Sequence, residues 1–331
     1  MKVLVTGGGG FVGGAVARLL RRQGLRVRSF SRAAHPELAA EGIEAFRGDV
    51  SDAFAVQEAC QGMDAVVHTA ARVGLWGDYA NFYRVNVKGT ANVIKACQEL
   101  GVPKLVFTSS PSVVFDGRDV DGWDESAPYS RRFDSHYSRT KALAEEMVLA
   151  SNTASLATVA LRPHLVWGPG ENHILSRIVD RARAGKLRRV GNSNKRVDTS
   201  YVDDTALAHW LALQRLDASC AIAGKAYFLS QGEPRPLWDI VNGMLRAADL
   251  PPVERSVAPL AAWAAAYGLE AFYLAARRKE EPILTRFLIS QLTTAHWFDI
   301  SAARRDLGFQ PRVSIDAGLE RLRVWFAEKR T

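Results

Sequence analysis

The sequence predicts an α/β fold: a doubly wound parallel sheet with a smaller, interleaved C-terminal α/β lobe. Three observations predict it. Across about the first 165 residues, short β-branched runs alternate with longer helical patterns, the order that builds parallel strands joined by crossover helices. A glycine-rich stretch, Gly7-Gly8-Gly9-Gly10-Phe11-Val12-Gly13, follows the first of those runs and opens the first helix. Beyond Pro163 the alternation loosens, with proline joints at Pro234/Pro236, Pro251/Pro252 and Pro282. Residues 1–165 therefore read as one domain, and 166–331 as mainly a second lobe with some segments returning to the sheet.

Taken in order, strands are expected at Lys2–Thr6, Arg26–Phe30, Ile43–Arg47, Ala65–Thr69, Lys104–Ser109 and Ala157–Leu161. Helices are expected between them at Phe11–Gln23, Ala53–Gln61, Phe82–Leu100 and Ser135–Ala150. Parallel strands are buried on both faces, and continuous apolar runs such as Ala65-Val66-Val67 suit that position. No internal repeat or low-complexity tract interrupts the pattern.

With 331 residues, 47% hydrophobic and 24% charged, the chain fits a globular enzyme able to bury a real core. Its formal charge of +8 favours anionic partners such as phosphates, carboxylates or an acidic membrane surface. The basic clusters at Arg18/Arg21/Arg22, Arg181/Arg183/Lys186/Arg188/Arg189 and Arg277/Arg278/Lys279 are dispersed and follow no nucleic-acid motif. They read as solvated surface, and nucleic acid is not expected as a partner. Cys60, Cys97 and Cys220 form neither a spaced pair nor a metal pattern, which points to a reducing, cytoplasmic compartment and to no metal. The N-terminus enters a strand without the apolar core of a signal peptide.

In the glycine stretch, one glycine makes a tight turn and another lets backbone amides approach a pyrophosphate. A third packs helix on strand, and the helix N-terminus faces the phosphates. Gly7, Gly10 and Gly13, with Phe11 and Val12 between them, thus predict a Rossmann-type dinucleotide site. An NAD enzyme carries an acidic residue at the end of the second strand. Here that strand ends Phe30-Ser31-Arg32. Arginine pairs a 2′-phosphate bidentately, so NADP(H) is the expected cofactor, with Ser31 and Arg32 at its ribose; the alternative is that Arg32 is a plain loop residue. Asp49 and Val50 follow the third strand, where adenine would be read. Ala70 and Ala71 are small residues where the cofactor passes the backbone. His68 reads as a packed strand residue rather than a catalyst.

Tyr137 and Lys141 are one helical turn apart, so phenol and ammonium share a face. A cationic neighbour favours phenolate and would draw the tyrosine pKa down from about 10. The pair reads as the acid/base of hydride transfer, with Lys141 also anchoring ribose hydroxyls. Thr108-Ser109-Ser110 closes the fifth strand at its carboxyl end, where open α/β sheets bind ligands. Ser110 is the candidate for polarising a carbonyl, and Ser109 competes with it. Asn86 lies on a helix backing the site, either as a cofactor contact or as helix support. Tyr129 and Tyr201 lack a lysine four residues on.

These pieces resemble the extended short-chain dehydrogenases/reductases. The likeness continues through Val85-Asn86-Val87-Lys88-Gly89-Thr90, Leu161-Arg162-Pro163, Tyr201-Val202-Asp203-Asp204 and Ala303-Arg304-Arg305-Asp306-Leu307-Gly308-Phe309, nearly the whole chain. The resemblance implies a Ser/Tyr/Lys catalytic set, Pro163 beside the cofactor and homodimers built through a helix bundle. Within the family the chain is most similar to the branch containing 3β-hydroxysteroid dehydrogenases. In Leu75-Trp76-Gly77, Val166-Trp167-Gly168-Pro169-Gly170, Val197-Asp198-Thr199-Ser200-Tyr201 and Glu281–Leu288 it resembles the 2-alkyl-3-oxoalkanoate reductases of bacterial olefin synthesis. That likeness implies a hydrophobic β-keto acid substrate, reduction with NADPH and assembly with other olefin-pathway enzymes. A steroid dehydrogenase or a nucleotide-sugar epimerase are the enzymatic alternatives. The epimerase is disfavoured because Val113-Val114-Phe115-Asp116 stands where such enzymes carry Val-Tyr-Gly, and the acidic pair of sugar dehydratases is missing at Pro111-Ser112. An NADP(H)-sensing regulator is the non-enzyme alternative, and the intact Ser110/Tyr137/Lys141 set argues against it.

The stretch from Val257 to Ala276 is twenty residues long with one charge, Glu270. It meets the length of a membrane span, but it is rich in alanine. Three readings stand: a core or cap helix of the lobe, a contact with a long-chain ligand or a membrane surface through 257–279, and a true span.

Overall fold

The computed structural model describes residues 1–191, 195–278 and 280–330. Its first half runs β1 (Lys2–Thr6), α1 (Phe11–Arg22), β2 (Arg26–Ser31), α2 (Pro36–Ala40), β3 (Glu44–Arg47), α3 (Ala53–Cys60), β4 (Ala65–His68) and α4 (Tyr79–Phe82). A π-helical turn (Tyr83–Lys88) then leads into α5 (Gly89–Leu100), β5 (Lys104–Thr108), a 3-10 turn (Pro111–Val113), β6 (Val120–Trp123), α6 (His136–Ala150) and β7 (Ala157–Pro163). The second half carries β8 (Val166–Trp167), α7 (Ile174–Arg183), β9 (Arg189–Val190), β10 (Arg196–Val197), β11 (Ser200–Tyr201), α8 (Val202–Arg215), β12 (Lys225–Leu229), β13 (Arg235–Pro236) and α9 (Leu237–Ala247). It ends with β14 (Ser256–Val257), α10 (Pro259–Ala275), α11 (Arg286–Thr293), β15 (His296–Phe298), α12 (Ser301–Leu307) and α13 (Ile315–Glu328).

Seven strands form the central sheet in the order β12-β7-β5-β4-β1-β2-β3, all parallel. This is the doubly wound, Rossmann-type sheet, and its order reverses between β1 and β4. Alternation along each strand feeds two cores. Val3, Val5, Val67, Val106 and Val159 point to one face, under α1 and α8. Leu4, Val66, Leu105, Phe107 and Ala160 point to the other, under α3, α5 and α6. Burial on both faces explains why these strands read as unbroken apolar runs.

The two halves exchange strands in both directions. β12, from the second half, pairs with β7 at the edge of the main sheet. β6, from the first half, joins the lobe's sheet of order β13-β10-β15-β6 by pairing with β15. A division at residue 165 therefore cuts through both sheets.

The stretch expected as one helix over Phe82–Leu100 is three pieces: α4, the π-helical turn and α5. Helix ends otherwise follow local chemistry. Asp52 caps α3 by accepting from the Phe54 and Ala55 N–H groups at 3.0 and 3.3 Å. Ser135 caps α6 through the Ser138 N–H at 3.1 Å, and α5 stops at Gly101 in the left-handed region, φ +66°. Among the described residues no helix is long and apolar enough to cross a membrane. The spanning reading of 257–276 is thereby corrected: the helix there is α10, seventeen residues long.

Candidate active site

The carboxyl ends of the parallel strands β1, β2, β4, β5 and β7 lie on one edge of the central sheet, and the glycine loop, Ser31, Ala70, Ser110 and Pro163 follow or close them there. Gly7 has φ +70°, and a Cβ on it would sit 2.9 Å from the Ala70 backbone. A Cβ on Gly13 would lie 2.2 Å from the Gly7 carbonyl oxygen. The loop is therefore drawn tight against the backbone at Ala70, with Ala71 next in line. Gly10 stands at the N-cap of α1 with no side chain capping it. The first-turn amides are left for an anion, the arrangement that suits a pyrophosphate. Phe11 turns toward the lobe core beside Trp167 and Tyr201, and Val12 packs on the sheet core.

The ribose end is more basic than the sequence alone revealed. The Ser31 hydroxyl accepts from the Gly9 N–H at 2.9 Å. Arg32 is exposed and has no ion-pair partner among the described residues. Parallel pairing sets Arg47 of β3 beside Ser31 of β2, and Arg47 Nε donates to the Arg32 carbonyl at 3.4 Å. His35 lies against Gly9, where a Cβ would meet its Nε2 at 1.9 Å. Arg47 and His35 escaped the sequence reading because only strand pairing and the β2–α2 loop bring them here. Asp49 is turned to its own neighbours: it accepts from the Ser51 N–H and hydroxyl at 2.9 and 2.8 Å and faces Arg84 at 3.5 Å. Burial pushes its carboxyl up, and those bonds outweigh it and hold the pKa low. Val50 is buried against Gly89.

Asn86, weighed as a cofactor contact, is committed elsewhere. Its amide oxygen accepts from the Arg72 N–H at 2.7 Å, and its NH₂ donates to the Arg72 carbonyl at 3.1 Å and to Thr140 Oγ1 at 3.0 Å. It is 2% exposed. The side chain therefore braces the segment after β4 against α6 instead of offering a free group to a ligand.

His68, buried in β4, ties the same parts together. The Thr90 hydroxyl gives its proton to the Asn86 carbonyl at 2.6 Å, so it accepts from His68 Nε2 at 3.0 Å. His68 Nδ1 is then bare and accepts from the Thr6 hydroxyl at 2.6 Å, which in turn accepts from the Ala70 N–H at 3.2 Å. Burial, with Lys141 nearby, holds this imidazole neutral and its pKa down at about 3.

The catalytic candidates meet at the end of β5. Ser110 caps the 3-10 turn, accepting from the Ser112 N–H at 3.2 Å, and its hydroxyl lies close enough to the Tyr137 phenol to draw that pKa down. Ser109 is buried, and its hydroxyl has no hydrogen-bond partner among the described residues. Lys141 Nζ donates to the Thr108 carbonyl at 2.6 Å and lies 3.9 Å from the Phe107 ring centroid. Thr108 is steadied from behind. His209 Nδ1 donates to the Thr205 carbonyl at 2.7 Å, so His209 Nε2 accepts from the Thr108 hydroxyl at 2.7 Å. Pro163 closes β7 beside this group.

The expected pull of Lys141 on the phenol is corrected by the structure. Burial pushes the Tyr137 pKa up, and the neighbouring Ser110 hydroxyl offsets only part of that. Lys141 is itself buried, which brings its ammonium down to about 7, with Glu145 one turn further along α6 opposing the fall. A half-neutral amine is a weak stabiliser of phenolate. Tyr137 is thus a phenol, ready to give a proton rather than take one.

Glu145 extends the Tyr137–Lys141 stripe by another turn of α6. Its carboxylate accepts from Arg162 Nε at 3.0 and 3.1 Å, from Arg162 Nη2 at 2.5 Å and from the Tyr129 hydroxyl at 2.7 Å. Arg162 is therefore a buried partner of Glu145 and not an available reader of a substrate carboxylate.

Comparison with known proteins agrees with this geometry. The profile of the 3-beta hydroxysteroid dehydrogenase/isomerase family matches residues 4–260. The chain is 47% identical to a 2-alkyl-3-oxoalkanoate reductase of Stenotrophomonas maltophilia, covering 98% of this chain and 99% of that one. It is 45% identical to a 2-alkyl-3-oxoalkanoate reductase of Shewanella oneidensis, covering 97% and 85%. The solved UDP-glucuronic acid 4-epimerase of Bacillus cereus, in complex with NAD, superposes with a TM-score of 0.76 at 21% identity over the whole of both chains, a likeness of fold. The chain belongs to the 3-beta hydroxysteroid dehydrogenase/isomerase family and is an oxidoreductase of the extended short-chain type that works with a nicotinamide dinucleotide.

Proposed function

We propose that this chain reduces the 3-oxo group of a long-chain 2-alkyl-3-oxoalkanoate to the 3-hydroxy acid, with NADPH as reductant. The observation that carries the reaction type is the convergence of Ser110, Tyr137 and Lys141 at the carboxyl end of β5, where the Ser110 hydroxyl draws on the phenol and Lys141 Nζ donates to the Thr108 carbonyl at 2.6 Å. NADPH, when bound, supplies the hydride. The chain's own residues manage the oxygen: the Ser110 hydroxyl orients the carbonyl, and Tyr137 donates its proton as negative charge builds there. The raised phenol pKa keeps that proton in place at neutral pH, which suits the reductive direction. Two reductases of the same name at 47% and 45% identity support the substrate class.

Gly7, Gly10 and Gly13 would seat the pyrophosphate. Preference for NADPH over NADH is drawn from Ser31, Arg32 and Arg47 at the ends of β2 and β3; β2 itself ends without a carboxylate, and Glu37 at the start of α2 is paired with His35 at 3.0 Å. Replacing Arg32→Ala and Arg47→Ala together should raise KM for NADPH about 10- to 100-fold while leaving KM for NADH nearly unchanged.

The deciding assay follows NADPH consumption with 2-alkyl-3-oxo acids, 3-oxosteroids and UDP-sugars side by side. The reverse direction, 2-alkyl-3-hydroxy acid plus NADP⁺, guards against loss of CO₂ from the β-keto acid. Turnover of a steroid or a UDP-sugar in preference to the branched acid would overturn the substrate assignment.

A further inference from the structure

Helix α10 reverses the usual arrangement of a surface helix. Its buried stripe is Ala262, Ala266 and Glu270. The Glu270 carboxylate, the one charge between Val257 and Ala276, is turned into the protein, where it accepts from the Arg286 backbone N–H and from Arg286 Nε, both at 2.6 Å. Outward stand Leu260 at 82% exposure, Leu274 at 67%, Phe272 at 55% and Tyr267 at 53%, with alanines between them. The outward side of this helix carries no charged residue. Solvated helices normally turn their charges out, and a contiguous apolar face of this kind marks an interaction surface.

Cations stand at one end of that face. Arg277 and Arg278 follow the helix and are exposed, and the Arg278 guanidinium lies 5.6 Å from the centroids of both Phe272 and Tyr273. Lys279 comes next in sequence and lies outside the described residues. Near them Ile283 is 65% exposed. The face is also joined to the catalytic half. Trp76 Nε1 donates to the Arg278 carbonyl at 3.2 Å, and its ring meets Tyr273 edge-on at 6.1 Å. Trp76 belongs to the segment that leaves Ala70 and Ala71 at the cofactor edge.

We propose that α10 is an interfacial helix that docks the protein on an anionic lipid surface. Leu260, Tyr267, Phe272 and Leu274 enter the acyl boundary, and Arg277 and Arg278 meet the headgroup phosphates. Charge complementarity selects this occupant. The face of α10 in a second copy would bring those arginines no carboxylate from the helix itself and only Glu280 from the loop after it, whereas an anionic bilayer supplies phosphates along the whole face. The choice of lipid also rests on the proposed substrate, a two-tailed acid that partitions into bilayers.

Flotation of the full-length chain with phosphatidylcholine vesicles, and with vesicles containing phosphatidylglycerol, tests this directly. The protein should float with the anionic vesicles and far less with the neutral ones. The triple variant Leu260→Asp/Phe272→Asp/Leu274→Asp should float with neither. Arg277→Gln/Arg278→Gln should lose on the order of 30-fold in partition to anionic vesicles, taking each basic residue at about fivefold. Both variants should keep turnover of a short, water-soluble 3-oxo acid. If aspartate disturbs the fold, serine at the same three positions gives the same reading.

Wild-type protein that stays at the bottom of both gradients overturns the proposal, as does flotation indifferent to the variants. So does a native mass that halves in the triple variant while vesicle binding is unchanged, which would assign the face to a second copy. Vesicle binding is read without turnover, so failure of the substrate assignment shows separately in the NADPH assay.

Discussion

Helix α6 buries Ser138, Thr140, Lys141 and Glu145, while α10 buries Ala262, Ala266 and Glu270 and leaves Leu260, Tyr267, Phe272 and Leu274 in the open. Both helices turn charge inward, against the ordinary rule for a surface helix. In α6 the buried groups are partnered: Lys141 with Thr108, Thr140 with Asn86, Glu145 with Arg162 and Tyr129. In α10 the inward charge is a single clamp to Arg286, and the outward apolar side chains stay largely exposed, with the Arg286 guanidinium over Tyr267 and that of Arg278 over Phe272. Inward polarity in α6 builds a site for chemistry; in α10 it clears a face of charge.

The sharpest way to break this contrast is at its chemical end. Tyr137→Phe should cut kcat about 1,000-fold, within the usual range for a lost general acid, while NADPH affinity by fluorescence titration stays close to wild type. Glu145→Gln leaves Arg162 buried beside a neutral amide and should cost about 3 to 5 kcal/mol in urea unfolding. It should also lower the Lys141 pKa further, because Glu145 is the charge that raises it.

Acid should strike the histidines buried behind the site and also His164 and His296 at the junction with the lobe, which burial likewise holds below the ordinary value. His68 and His209, which back Asn86 and Thr108, have folded pKa values of about 3 and about 4, held down by burial. Both lie below the 6.5 of an unfolded histidine, so the unfolded chain binds more protons in that window. Stability should therefore fall as pH drops from 6.5 toward 4, at roughly 1.4 kcal/mol per unit for each such histidine. Lys141, lowered by burial to about 7, has the same sign: stability should rise with pH from about 7 to 10. Urea midpoints across pH measure both slopes.

The smallest effect belongs to α10. Glu270→Gln should cost about 1 kcal/mol or less, because the Arg286 side chain is 39% exposed and water replaces much of the clamp. A cost equal to that of Glu145→Gln would erase the distinction between the two helices.

Legibility in the sequence followed the same division. β1, β4 and β5 were readable because their runs face two cores at once, and Tyr137 and Lys141 because one turn of helix is a short-range fact. Ser110 could not be chosen over Ser109 from spacing, since the choice depends on which hydroxyl the α6 phenol reaches. The downward pull on Tyr137 was misjudged because burial of Lys141 is a property of the packed fold, not of a four-residue interval. Arg47 and His35 sit beside Ser31 and Gly9 only through the register of β2 on β3 and the path of the loop. Glu270 was visible as the lone charge of an apolar stretch, but the side it faces was not.

The π-helical turn at Tyr83–Lys88 has a consequence for how this chain tolerates change. It holds one residue more than an ordinary helical turn would, and the surplus sets the phase of everything after it. With that phase, Asn86 spans from Arg72 to Thr140 and Gly89 fits under Val50, where a Cβ would lie 2.8 Å from Val50 Cγ2. Deleting a single residue between Tyr83 and Lys88 would give a more regular helix with these contacts rotated out of alignment. Regularity and function are opposed at that turn.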